Sequence, residues 1–111
     1  MKILCFFIRT DLKITKGKIS TQVGHAVEDL ILKAPTKTLN QYQEEGSTKL
    51  VFKVSSEEAF TPLLKFCMKE NLPFTIVTDA GKTQVEPGTK TCLGIGIIDK
   101  KEIKLENFRL L

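Results

Sequence analysis

Apolar positions fall along this chain in two rhythms. Ile3-Leu4-Cys5-Phe6-Phe7-Ile8 is apolar at every position and rich in β-formers, which predicts a strand buried on both faces. From Gly17 to about Lys33 the rhythm changes. Ile19, Val23, Ala26, Val27, Leu30 and Ile31 recur at helical spacing, giving a stripe that must face a sheet, and Pro35 stops the helix. At about 100° per residue, Lys18, Gln22, His25 and Asp29 share a ~60° wedge to one side of that stripe. Thr36 to Glu45 reads as a short polar helix with Leu39 and Tyr42 turned inward and Gly46 placed to end it. Lys49 to Val54 reads as a strand. Ser55 and Glu58 have capping-box spacing ahead of Ala59, Phe60, Leu63, Leu64, Cys67 and Met68, a helical set running to about Asn71. Pro62 either kinks that helix or fixes its regular start near Thr61. Pro73 to Val77 and Thr91 to Ile98 read as two further strands around a polar loop, Thr78 to Lys90, and Ile103 to Leu111 is ambiguous.

This order predicts an α/β, three-layer fold: a mixed four-stranded sheet covered by helices on both faces, its mixed character coming from a hairpin-like return of the fourth strand. At 111 residues, with 41% hydrophobic and 27% charged positions and no low-complexity stretch, residues 1–111 read as a single domain rather than as disorder or coiled coil. The apolar start is too short for a bilayer span or a signal-peptide core, so neither a membrane nor export is expected.

The three cysteines, Cys5, Cys67 and Cys92, are odd in number and embedded in apolar runs, which predicts buried thiols rather than disulfides or a zinc site. With His25 as the lone histidine and no Asp-x-Asp-x-Asp-Gly loop, no bound metal is expected. Charge is more telling, because residues 1–18 hold Lys2, Arg9, Lys13, Lys16 and Lys18 against Asp11 alone. That stretch carries the whole formal excess of +4. A charge run is usually a solvated surface cluster, but this one lies in a short loop-like segment and is also a footprint for a polyanion.

Most catalytic signatures fail. Gly17-Lys18 lacks the earlier glycine of a phosphate loop, Gly94-Ile95-Gly96 lies inside a strand pattern, and no Gly-x-Ser-x-Gly elbow exists. Strand glycines instead mark close backbone approach or a bulge. What remains is the polar loop after the third strand, where Asp79, Thr83 and Gln84 lie within six residues, at the kind of strand end where α/β folds bind ligands. A turn carboxylate and a loop hydroxyl explain the same residues without function.

Two long segments resemble the type 2 peptidyl-tRNA hydrolases. The first is Arg9-x-Asp11-Leu12-Lys13-x-x-Lys16-Gly17-Lys18-x-x-x-Gln22-x-x-His25-Ala26, and the second runs from Asp79-Ala-Gly-Lys-Thr-Gln to Leu-Gly-Ile-Gly96. Departures from the family pattern are Ile14-Thr15, Ser20-Thr21 and Ile97, beside the key polar positions. The resemblance implies hydrolysis of the ester between a peptide and the 3′ ribose of tRNA, without a cofactor, in the cytoplasm, by a protein that tends to dimerise. It implies Lys18, Asp79, Thr83 and His25 as the catalytic set, with Arg9, Lys13, Lys16, Gln22, Lys82 and Gln84 on the tRNA. The alternative is a noncatalytic RNA-binding or protein-interaction domain on the same fold, against which a carboxylate amid phosphate-binding lysines argues. Lys18 and Asp79 both follow apolar strands and are expected to converge on one cleft, the strands being taken as adjacent and parallel.

Overall fold

The six apolar residues form the middle of β1 (Lys2–Arg9) and every one is buried in the computed structural model, which describes residues 1–80 and 85–111. Successive side chains of a strand point to opposite sides, and the core divides accordingly. Ile3, Cys5 and Phe7 join Phe52 and Val54 of β2 (Lys49–Val54), Leu93 and Ile95 of β4 (Lys90–Asp99), and Phe60, Leu63 and Cys67 of α3 (Phe60–Glu70). Leu4, Phe6 and Ile8 join Ala26 and Leu30 of α1 (Lys16–Lys33), Tyr42 of α2 (Thr36–Glu44) and Val77 of β3 (Phe74–Thr78).

Among the described residues the sheet has five strands in the order β3-β4-β1-β2-β5, not the four expected. The added strand is β5 (Arg109–Leu110), two exposed residues on the outer side of β2. It has too few positions to show alternation, and what makes it a strand is backbone pairing, continued by the Leu111 amide donating to the Val51 carbonyl at 2.9 Å. The sheet is mixed as expected: β1 and β2 are parallel, while β4 runs antiparallel to both β1 and β3. β1 and β3 are therefore parallel but not adjacent, which corrects the expected neighbourhood. Because β4 reverses between them, their C-terminal ends still lie at one sheet edge.

The helix starts also differ in detail. Ser55 and Glu58 form no capping box. Ser56 instead precedes a 3₁₀ turn, Glu57–Ala59, without a side-chain cap, and α3 begins at Phe60. Pro62 falls in the first turn of α3, where an amide has no helical partner to lose. Asn71 ends α3 in the left-handed conformation.

The two glycines of β4 do separate jobs. A Cβ on Gly94 would stand 3.1 Å from both Ala26 Cβ and Leu30 Cδ1, so its absence lets α1 lie close on the sheet. Gly96 sits at φ +128°, where the pairing jumps from Leu4↔Gly96 to Ile3↔Ile98. This bulge reverses the parity of the strand beyond it, putting Ile97 in the cluster with α1 and Ile98 in the cluster with α3. A Cβ at Gly96 would meet the Ile3 carbonyl oxygen at 2.6 Å. Gly96→Ala is therefore expected to cost about 2 kcal/mol or more. Gly46→Ala, at φ +108° in open space, should cost only about 1 kcal/mol. Denaturant unfolding of both variants checks the order.

Candidate active site

Helix α1 begins where Thr15 caps it, the Lys18 amide donating to Thr15 Oγ1 at 3.2 Å. Its first turn contains no acidic residue but does contain Lys16 and Lys18, so two ammonium groups stand at the end where unpaired amides already make the potential positive. Asp79 follows β3 directly. Its amide donates to the Thr89 carbonyl at 2.9 Å, and the Gly88 amide donates to its carbonyl at 2.7 Å, which pins the base of the loop.

These two places meet. Lys18 Nζ pairs with Asp79 Oδ2, with side-chain exposures of 13% and 3%. Gln22, one turn further along α1 and itself buried, donates from Nε2 to the same oxygen at 3.3 Å. A carboxylate removed from water is retained only when opposite charge and donors replace hydration, and α1 supplies both. The arrangement holds an ammonium at a positive helix end with its carboxylate partner behind it, a geometry suited to stabilising developing negative charge on an oxygen.

The remaining wedge residues separate. Asp29 accepts from Thr75 Oγ1 at 3.1 Å and ties α1 to β3, whereas His25 is exposed. Of the residues expected on RNA, Lys13 and Lys16 are exposed. Gln22 is turned inward to Asp79, and Arg9 is committed internally. Arg9 donates from Nε and Nη2 to the two Asp11 carboxylate oxygens at 3.0 and 2.7 Å, and from Nη1 to the Lys90 carbonyl at 3.0 Å. Glu57 lies 3.7 Å from Arg9 Nη1. The guanidinium hydrogen-bonded to Asp11 holds that carboxyl below the usual carboxylate range. Lys82, Thr83 and Gln84 lie outside the described residues. The wedge places Asp29 on this side of α1 but gives it no role, and its partner Thr75 is visible only once β3 is known to lie beneath α1. The Arg9-x-Asp11 spacing was readable as an ion pair and was masked by the surrounding positive charge.

A family model described as peptidyl-tRNA hydrolase PTH2 matches residues 2–110 of this chain. Among similar curated proteins, a peptidyl-tRNA hydrolase of Metallosphaera sedula is 43% identical over 103 residues, covering 84% of this chain and 88% of its own length. One of Saccharolobus solfataricus is 43% identical over 96 residues, 80% of each chain. One of Sulfurisphaera tokodaii is 45% identical over 96 residues, 80% of this chain and 79% of its own. Among the described residues, no helix is long and apolar enough to cross a membrane.

All three thiols are buried in the core. Burial pushes Cys5 and Cys92 up to about 12 and Cys67 up to about 11, so none is a thiolate at neutral pH. A free thiol ionises near pH 8.5 in the unfolded chain. Since the folded values lie above this, the unfolded state gains charge first, and stability should fall as pH rises from about 8.5 towards 12. A thiol-reactive chromophore at pH 8 should label the native protein slowly and the unfolded protein at all three cysteines. Rapid native labelling would contradict the burial.

Proposed function

The chain belongs to the peptidyl-tRNA hydrolase PTH2 family, and from that premise we propose that its chemistry runs through Lys18 and Asp79. The reaction is hydrolysis of the ester between a peptide and the 3′ ribose of tRNA, which returns the tRNA for reuse. Water adds to the ester carbonyl and a proton leaves the attacking oxygen. The tetrahedral oxyanion then collapses, expelling the ribose oxygen, which takes up a proton. In this reading the Lys18 ammonium faces the oxyanion or the leaving oxygen, with the first amides of α1 adding to the same field. Asp79 keeps Lys18 aimed, because the ammonium and the Gln22 amide both donate to its Oδ2. The Thr83 hydroxyl is assigned to the water or the carbonyl. Exposed His25 suits a contact to the substrate better than a buried relay.

The single observation that carries this reading is the buried Lys18–Asp79 pair at the start of α1. Lys13 and Lys16 are assigned to tRNA phosphates, joined by Lys82 and Gln84, while Arg9 and Gln22 serve that surface by bracing the loop ends. The alternation of β1 between two core clusters, one with α3 and one with α1 and α2, supports the three-layer reading with helices on both faces. Cytoplasmic residence and a homodimer rest on the family resemblance.

Lys18→Met and Asp79→Asn should each lower turnover of peptidyl-tRNA by roughly 10²–10⁴. The double variant removes both charges together, so it should fold at least as well as either single while being no slower than the poorer one. Near-normal turnover by Asp79→Asn would sink the assignment.

The basic loop makes a separate prediction. Lys13→Ala and Lys16→Ala should each weaken tRNA binding and flatten the log–log salt dependence by up to about one unit. Unchanged slopes in both would remove the loop from the interface.

A further inference from the structure

Resting on the peptidyl-tRNA reading, we infer that Lys53 and Arg109 form a second phosphodiester-binding point for the tRNA, on the same sheet edge as the active site but at its opposite end. The two residues are direct cross-strand partners in the antiparallel pairing of β2 with β5, so their side chains emerge side by side on one face. Both are exposed, and among the described residues neither makes an ion pair or a side-chain hydrogen bond. Like charges placed directly opposite work against the sheet, so folding alone gives no reason for the pair. A charged edge that repels foreign strands accounts for Arg109. It does not account for Lys53, because β5 makes β2 an interior strand.

The surroundings fit a phosphodiester. Lys53 and Arg109 line an open depression of about 540 Å³ whose remaining wall is part apolar, from Val54, Ala59 and Phe108, and part neutral and polar, from Thr10, Ser55 and Asn107. Lys53 stands at the C-terminal end of β2, and Thr10 directly follows β1. Both therefore belong to the edge where β3 delivers Asp79. Along that edge the strand order places Asp79 first, then the loop after β1 with Lys13 and Lys16, then Lys53 and Arg109. At roughly 4.8 Å per strand, three to four steps put the cation pair about 14–19 Å from the end of β3. A strand of RNA whose 3′ end lies at Lys18 spans that distance in a few nucleotides, passing the basic loop on the way.

The test is the salt dependence of binding to deacylated tRNA, measured between about 50 and 200 mM salt, which reads the surface without requiring turnover. The double variant Lys53→Ala/Arg109→Ala should bind at least ten-fold more weakly and show a slope shallower by about two units. The control Lys69→Ala/Lys104→Ala, which removes the same charge from exposed positions elsewhere, should keep the wild-type slope. Because the pair is held against like-charge repulsion, the Lys53→Ala/Arg109→Ala protein should melt no lower than the wild type. Equal slopes in the two double variants would overturn the inference, as would a marked loss of thermal stability, which would show the pair to be structural. Hydrolysis of peptidyl-tRNA by the wild type is assayed separately, so failure of the enzymatic reading is distinguishable from failure of this surface.

Discussion

Six consecutive residues that must all leave water, Ile3 to Ile8, set the terms for everything around them. Each buried side chain of this kind is worth roughly 1.5–3 kcal/mol relative to exposure, but only if the strand has a neighbour on each edge and apolar cover on each side. A parallel neighbour can be reached only by a crossover, and the chain spends α1 and α2 on it before returning as β2. The other edge is filled by β4, whose reversed direction leaves β3 parallel to β1. Burying one strand thus brings the start of α1 and the end of β3 to the same side of the sheet, 61 residues apart in sequence.

Local preferences are violated where these two places meet. Stability favours acidic groups at a helix N-terminus, yet α1 opens with Lys16 and Lys18, and the compensating carboxylate comes from another element. A carboxylate buried as deeply as Asp79 is costly without its partners. Conflicts of this kind, resolved only by long-range contacts, are expected where sequence serves chemistry rather than folding. The enclosure that makes the pair costly also weakens dielectric screening around the ammonium, which strengthens its pull on negative charge forming beside it.

The long periodic segments were legible from sequence alone because their side-chain pattern is the cause of their structure. β1, α1, β2 and β4 lie within a residue or two of their expected bounds. β5 was illegible because two exposed residues carry no pattern, and the true neighbours of β3 depended on a reversal that only backbone pairing reveals. Gly94 and Gly96 were readable as a close approach and a bulge, though which did which required Ala26, Leu30 and Ile3 in place. In the site, the wedge of Lys18, Gln22, His25 and Asp29 holds as a statement about one helix, with His25 left exposed while the other three turn to partners. It could not say that Gln22 would be consumed holding Asp79, nor that Arg9 would turn to Asp11, since both depend on partners reached through the fold.

Seated close over Gly94, α1 is also tied down along one side. Lys18 and Gln22 end on Asp79 and Asp29 ends on Thr75, so three polar tethers spaced four and seven residues apart fasten one helix side to the tract that contains β3. The helix is keyed to the sheet like a shaft in its slot. Substitutions on its solvent side leave the key untouched, but one residue inserted between Gln22 and Asp29 would turn the two ends against each other by about 100° and withdraw Lys18 from its partner. The spacing from Lys18 to Asp29 is therefore fixed in whole turns, whereas turns added beyond Asp29 would leave the register of the site intact.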